Sequence, residues 1–128
     1  EAGAGLFGRT VIDPALREPA GEARLRKLSF GFIDYLESSV FSGGCFWTSV
    51  AAEFDNREGA VRDRIEHHVG VWVDILADQA KAAGVKDPRQ LAFELFSIGQ
   101  GTNMHYQLFR DPEVFARARR TVERILPA

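Results

Sequence analysis

Apolar residues recur every three or four positions along most of this chain, which is the spacing of an amphipathic helix. Leu25, Leu28, Phe32, Ile33 and Leu36 set one such stripe and predict a helix over about 22–38. Val61, Ile65, His68, Trp72, Leu76 and Ala80 set the longest, predicting a helix over about 57–83. Arg62, Glu66, Asp74, Asp78 and Lys81 fall mostly on its other sides. Gly84 is well placed to end that helix, because glycine accepts the left-handed conformation of a helix stop. Asp87-Pro88 then starts the next, an N-cap side chain followed by proline in the first turn. Asp111-Pro112 repeats the signal, and the last helix reaches about Leu126. It buries Val114, Phe115, Ala118, Val122 and Ile125 and carries Arg117, Arg119, Arg120 and Arg124 off that stripe, as a solvated face.

Ahead of these helices, residues 1–10 are Gly-rich and read as loose, with Leu6 and Phe7 as first anchors. Asp13-Pro14 starts a short helix that Pro19-Ala20-Gly21 ends, so 1–20 reads as a connecting segment. Between the stripe of 22–38 and the longest stripe lies Ser42–Asp63, which runs into the start of the latter. Gly43-Gly44 opens it, and Phe46, Trp47, Val50, Ala51 and Phe54 predict a short helix over about 45–54 with its aromatics on one stripe. Asp55 and Glu58 form a capping box for the helix that follows. A helix so short is unstable alone and has to be wrapped by longer ones. No strand pattern, repeat or low-complexity tract interrupts the reading; Val71-Trp72-Val73 is β-prone but lies inside a helical period. The expected architecture is all-α, a bundle of five to seven helices forming one domain over residues 1–128.

The helix over 88–109 has two apolar sides. Leu91, Leu95, Ile98, Thr102, Tyr106 and Phe109 make a core face. Phe93, Ser97, Gln100, Gly101, Met104 and Leu108 make another, and Glu94 is the only formal charge between Leu91 and Phe109. In a monomer this second side would be a wet strip of Phe, Met and Leu, and such strips mark contact sites. The expected contact is a homodimer about a twofold axis near Gln100, flanked by the Val114, Ala118, Thr121 and Ile125 edge of the last helix.

The chain's formal charge of −2 gives no general reason to bind nucleic acid. One cysteine, Cys45, excludes an internal disulfide and suits a reducing cytoplasm. No apolar run is long enough to cross a bilayer, so no membrane partner is expected. His67 and His68 are adjacent and diverge on a helix; Asp63 and His67 are four apart but lack a third ligand, so no metal site is expected. His68 falls on the apolar stripe, either as a hydrogen-bonded core histidine or as a polar contact inside a pocket. Asn103 and Tyr106 are a polar pair that must find partners in neighbouring backbone, another subunit or a ligand. No nucleophile–base pair and no phosphate-binding glycine loop can be argued from spacing, and no enzyme activity and no cofactor are expected.

Several pieces of the chain also carry a resemblance. They are Gly43-Gly44-Cys45-Phe46, Ala51-Ala52-Glu53-Phe54-Asp55, Gly59-Ala60-Val61-Arg62-Asp63, Gln90-Leu91-Ala92-Phe93-Glu94-Leu95 and Leu108-Phe109-Arg110-Asp111-Pro112. In this order and spacing, from about Leu6 to the end, the chain resembles the carboxy-terminal ligand-sensing domain of TetR-family transcriptional regulators. The resemblance implies that the last two helices pair with their twofold mates as a four-helix bundle. It also implies that the helices at 22–38, 45–54, 57–83 and 88–109 enclose an apolar pocket, and that an effector in it releases operator DNA. The aromatic stripe beside His68 and Asn103 sets the expected lining: Phe32, Ile33, Leu36, Phe46, Trp47, Val50, Phe54, Ile65, His68, Trp72, Phe96 and Asn103. The expected partner is a mainly apolar small molecule. Two other readings compete: a dimeric helical interaction module whose pocket is filled by side chains, and a small-molecule enzyme using His68 or Glu53.

TetR-family proteins carry an amino-terminal helix-turn-helix, and no basic recognition helix lies ahead of Leu6. The chain as given is therefore expected to show no salt-sensitive binding to duplex DNA at micromolar concentration. A gel shift of random duplex by this chain alone would contradict that.

Overall fold

The computed structural model describes residues 7–38 and 60–127. The expected helix over 45–54, with Phe46, Trp47, Val50 and Phe54, and the expected capping box at 55–58 lie outside the described residues. Within them the chain is all-α: a π-helical turn, Gly8–Ile12, and five α-helices. We label these α1 (Asp13–Leu16), α2 (Glu22–Ser38), α3 (Ala60–Ala82), α4 (Pro88–Phe109) and α5 (Glu113–Ile125).

The helix limits follow the capping chemistry. Asp87 accepts a hydrogen bond from the Gln90 N–H at 3.2 Å, with Pro88 in the first turn of α4. Asp111 accepts from the Glu113 N–H at 3.0 Å and opens α5. At the end of α3, Gly84 adopts φ +83° and the Val85 N–H reaches back to the Ala80 carbonyl at 3.0 Å, closing a Schellman-type stop. Gly21 has φ +104°, and its N–H donates to Gln79 Oε1 at 2.9 Å, which ties the start of α2 to the end of α3. Arg24 donates to the Leu16 and Glu18 carbonyls and so satisfies the chain just past α1.

Residues 7–12 are not loose, contrary to the sequence expectation. The Asp13 N–H donates to the Gly8 carbonyl, a five-residue step that makes this turn a π-helix running straight into α1. The anchor is Phe7, whose ring meets Phe32, Tyr35 and Trp72 edge-on at 5.8, 5.4 and 5.0 Å.

The core collects the predicted stripes. Leu25, Leu28, Ile33 and Leu36 of α2 are almost fully buried, with Leu76 and Ala80 of α3, Leu91 and Leu95 of α4, and Phe115 and Val122 of α5. Buried Ser29 and Thr102 donate to the Leu25 and Ile98 carbonyls of the preceding turn, so neither hydroxyl is left unpaired. Three assignments differ from the sequence reading. Phe109 is exposed, because Arg110 turns the chain out of α4 with φ +54° and stops the core face one position early. Val114 and Ala118, read both as buried and as part of a contact edge, lie in this chain's own core, where α5 packs on α2 and α4. Arg119 is not part of a free solvated face. It bridges Asp34 at 2.7 Å and Glu37 at 2.6 Å across to α2, while Arg26 meets Glu123 at 2.6 Å. Partial burial disfavours the Arg119 cation, but the hydrogen bonds and charge of Asp34 and Glu37 outweigh that and raise its pKa above the usual arginine value.

The Phe32 ring of α2 sits against Gly99 of α4, where a side chain would otherwise stand. A Cβ built there would lie 2.1 Å from a Phe32 ring carbon, well inside contact distance. Gly99→Ala gains up to about 1 kcal/mol of helix propensity but forces Phe32 aside, at about 1–3 kcal/mol for an overpacked site. The expected outcome is a net loss of about 1–2 kcal/mol, read as a lower urea midpoint. An unchanged or higher midpoint would show that the ring gives way without cost.

Candidate functional site

A cavity of about 150 Å³ lies where the π turn, α2, α3 and α4 meet. Phe7, Gly8 and Ile12 form one wall, and Phe32 comes from α2. The α3 wall holds His68, Val69, Val71, Trp72 and Ile75; α4 supplies Phe96 and Gln100. Helical geometry explains the grouping. His68, Trp72 and Ile75 are spaced by four and three on α3, Phe96 and Gln100 by four on α4, so each set stands on one face.

The lining is apolar with few polar groups. Among the described residues none of the wall positions is Asp, Glu, Lys or Arg, so the cavity offers no counter-charge. Its polar side chains are His68, Gln100 and the indole of Trp72. His68 and Gln100 have interactions of their own. Trp72 is 7% exposed, and its Nε1 is buried without a hydrogen-bond partner among the described residues. Phe7, Phe32, Tyr35 and Trp72 form one aromatic cluster beside the space, with Phe32 and Tyr35 stacked at 6.4 Å.

The structure thus places four of the expected pocket residues, Phe32, His68, Trp72 and Phe96, around one space. Ile33, Leu36, Ile65 and Asn103 are buried but are not among its walls. For Ile33 the reason is the α2 period, which turns it about 100° away from Phe32; Leu36 shares the face of Phe32 one turn further on and is buried in the core there. Gln100, expected at a twofold axis, is half-buried and lines the cavity. The wall residues Phe7, Gly8 and Ile12 were not expected, because a Gly-rich start gives no periodic signal. The lone signal there is the Leu6-Phe7 pair amid small residues.

The second side of α4 is open. Phe93, Met104 and Leu108 are 63%, 52% and 66% exposed, with Ser97 and Gly101 exposed between them. Nothing lies within 4 Å of a Cβ built on Gly101. Thr121 and Ile125 of α5 are half-buried. His67 and Asp63 are exposed, and among the described residues no group of three metal-ligating side chains comes together. Among the same residues no helix is long and apolar enough to cross a membrane.

Comparison with known proteins gives one family. The model described as "Tetracyclin repressor-like, C-terminal domain" matches residues 21–122. No curated protein matches the chain.

Phe7 closes one side of the cavity from a half-buried position. Phe7→Ala should cost about 1–3 kcal/mol, below the range of a fully buried aromatic because part of the ring is already in water. Thermal unfolding of the variant checks this, and a melting temperature equal to that of the unmodified chain would show that the π turn is not anchored by this ring.

Proposed function

Since this chain belongs to the tetracyclin-repressor-like C-terminal domains, a non-enzymatic kind of regulatory domain for ligand binding and dimerisation, we propose that its cavity receives a small, mainly apolar effector. In this reading two copies pair through the exposed side of α4, and effector binding relieves operator binding by a helix-turn-helix outside this chain, in a cytoplasmic regulator. One observation carries the proposal: α4 presents a cavity wall through Phe96 and Gln100 and an uncharged apolar strip through Phe93, Met104 and Leu108. A single rigid helix therefore joins the ligand site to the proposed partner surface. Effector and DNA then prefer different states of one dimer, so each weakens the other by the same factor.

The strip fits a close, self-complementary contact. Ser97 and Gly101, four apart, let another backbone approach, and Met104 adapts to a symmetric partner. Flanked by Thr121 and Ile125, such a contact should bury roughly 2,000 Å² or more in total. Gly101 gives the clean test, since added bulk there meets nothing within its own chain. Light scattering at micromolar concentration should give a dimer mass for the unmodified chain and a folded monomer, or aggregates, for Gly101→Arg. A monomeric mass for the unmodified chain would overturn the dimer.

A further inference from the structure

Resting on the cavity reading above, we propose that its ligand is a neutral molecule about the size of one substituted benzene ring, carrying a hydrogen-bond acceptor for the Trp72 indole N–H. The indole is the unusual group. Trp72 is more than nine-tenths buried, stands in the cavity wall, and leaves Nε1 without a partner among the described residues. Buried donors in folded proteins are almost always paired, and an unpaired one is a standing penalty that an incoming acceptor removes. Among the described residues, the indole is the buried wall donor that lacks a hydrogen bond.

Size and charge narrow the class further. An apolar cavity of 150 Å³ holds a molecule the size of benzene. The rings of Phe7, Phe32, Trp72 and Phe96 favour an aromatic guest, which meets them edge-on or offset. An ionised guest would lose its hydration with no described counter-charge to replace it. The ligand-free Nε1 is closed off, so the acceptor reaches it by displacing a neighbouring ring. Phe7 is the ring with least burial to lose: it is half-buried and edge-on to Trp72 at 5.0 Å, whereas Phe32 is 5% exposed.

Three probes test this on the ¹⁵N-labelled chain: acetophenone, ethylbenzene as its isostere without an acceptor, and benzoate. The readout is the Trp72 indole N–H resonance, assigned by its loss in Trp72→Phe. Acetophenone should bind about three- to tenfold more tightly than ethylbenzene, the factor expected of one hydrogen bond. It should also move the indole proton downfield. Benzoate should not bind, and Trp72→Phe should erase the preference between the two neutral probes. If that variant fails to fold, the indole shift in the unmodified chain decides alone. Equal binding of acetophenone and ethylbenzene with an unmoved indole resonance would overturn the acceptor and leave the cavity reading standing. Tighter binding of benzoate would overturn the neutral class. No binding of any probe to a folded chain would remove both the proposed ligand and the cavity reading.

Discussion

The contact between Phe32 and Gly99 fixes how close α2 and α4 come, and much else is set by that distance. The ring occupies the place a Cβ would take, so its seat depends on there being no side chain at Gly99. Phe32 is then held from several directions at once. Gly99 lies beneath it, Tyr35 stacks alongside at 6.4 Å, Trp72 tilts against it at 5.4 Å, and Phe7 meets its face at 5.8 Å. The cavity is the space these rings leave on the side of α3 and the π turn. Neither its position nor its aromatic character is independent of Gly99.

The helix limits were readable because they are local. Asp87-Pro88, Gly84 and Gly21 each act within a few residues, and a hydrogen bond or a positive φ is found at each. The stripes of α2 and α3 were readable because a wide apolar face has only one way to be buried. What sequence could not supply was which neighbour a face meets. Val114 and Ala118 are apolar whether they meet their own core or a second copy, and only the seating of α5 on α2 and α4 decides. Gln100 lies at the border between the two sides of α4, and its period alone does not assign it to cavity or surface. Gly99 was visible as a glycine inside a helix, an unfavourable choice that calls for a packing reason, but the reason was a ring from a helix far away in sequence. The π turn gives no period to read because Gly8–Ile12 spans little more than one turn.

Charge plays a secondary part in holding the bundle. The Arg119 pairs with Asp34 and Glu37, and the Arg26–Glu123 pair, all join α2 to α5 at the surface. Exposed pairs of this kind contribute about 0.2–1 kcal/mol each. The burial of Phe115 and Val122 is worth more, at about 1.5–3 kcal/mol for each fully buried side chain. The ion pairs therefore set the register of α5 along α2 more than they hold it there. Among the described residues, these ties leave α4 unjoined to α2 or α5 by an ion pair; near its start, Arg89 meets Asp74 of α3 at 2.8 Å.

A rod held at its first turn and pinned at its middle has few ways to move. With Gly99 seated under Phe32, a sideways shift of α4 would drive backbone into the ring, so any tilt of the helix would have to pivot near that point. Leu108 lies about nine residues beyond the pin, an arm of about 13 Å at 1.5 Å per residue, so a tilt of about 5° carries it by about 1 Å. Phe96 and Gln100 sit almost on the pin and scarcely translate during the same tilt. Small angular changes at the cavity thus become displacement at the far end of the helix, with a gain set by where the glycine falls along it.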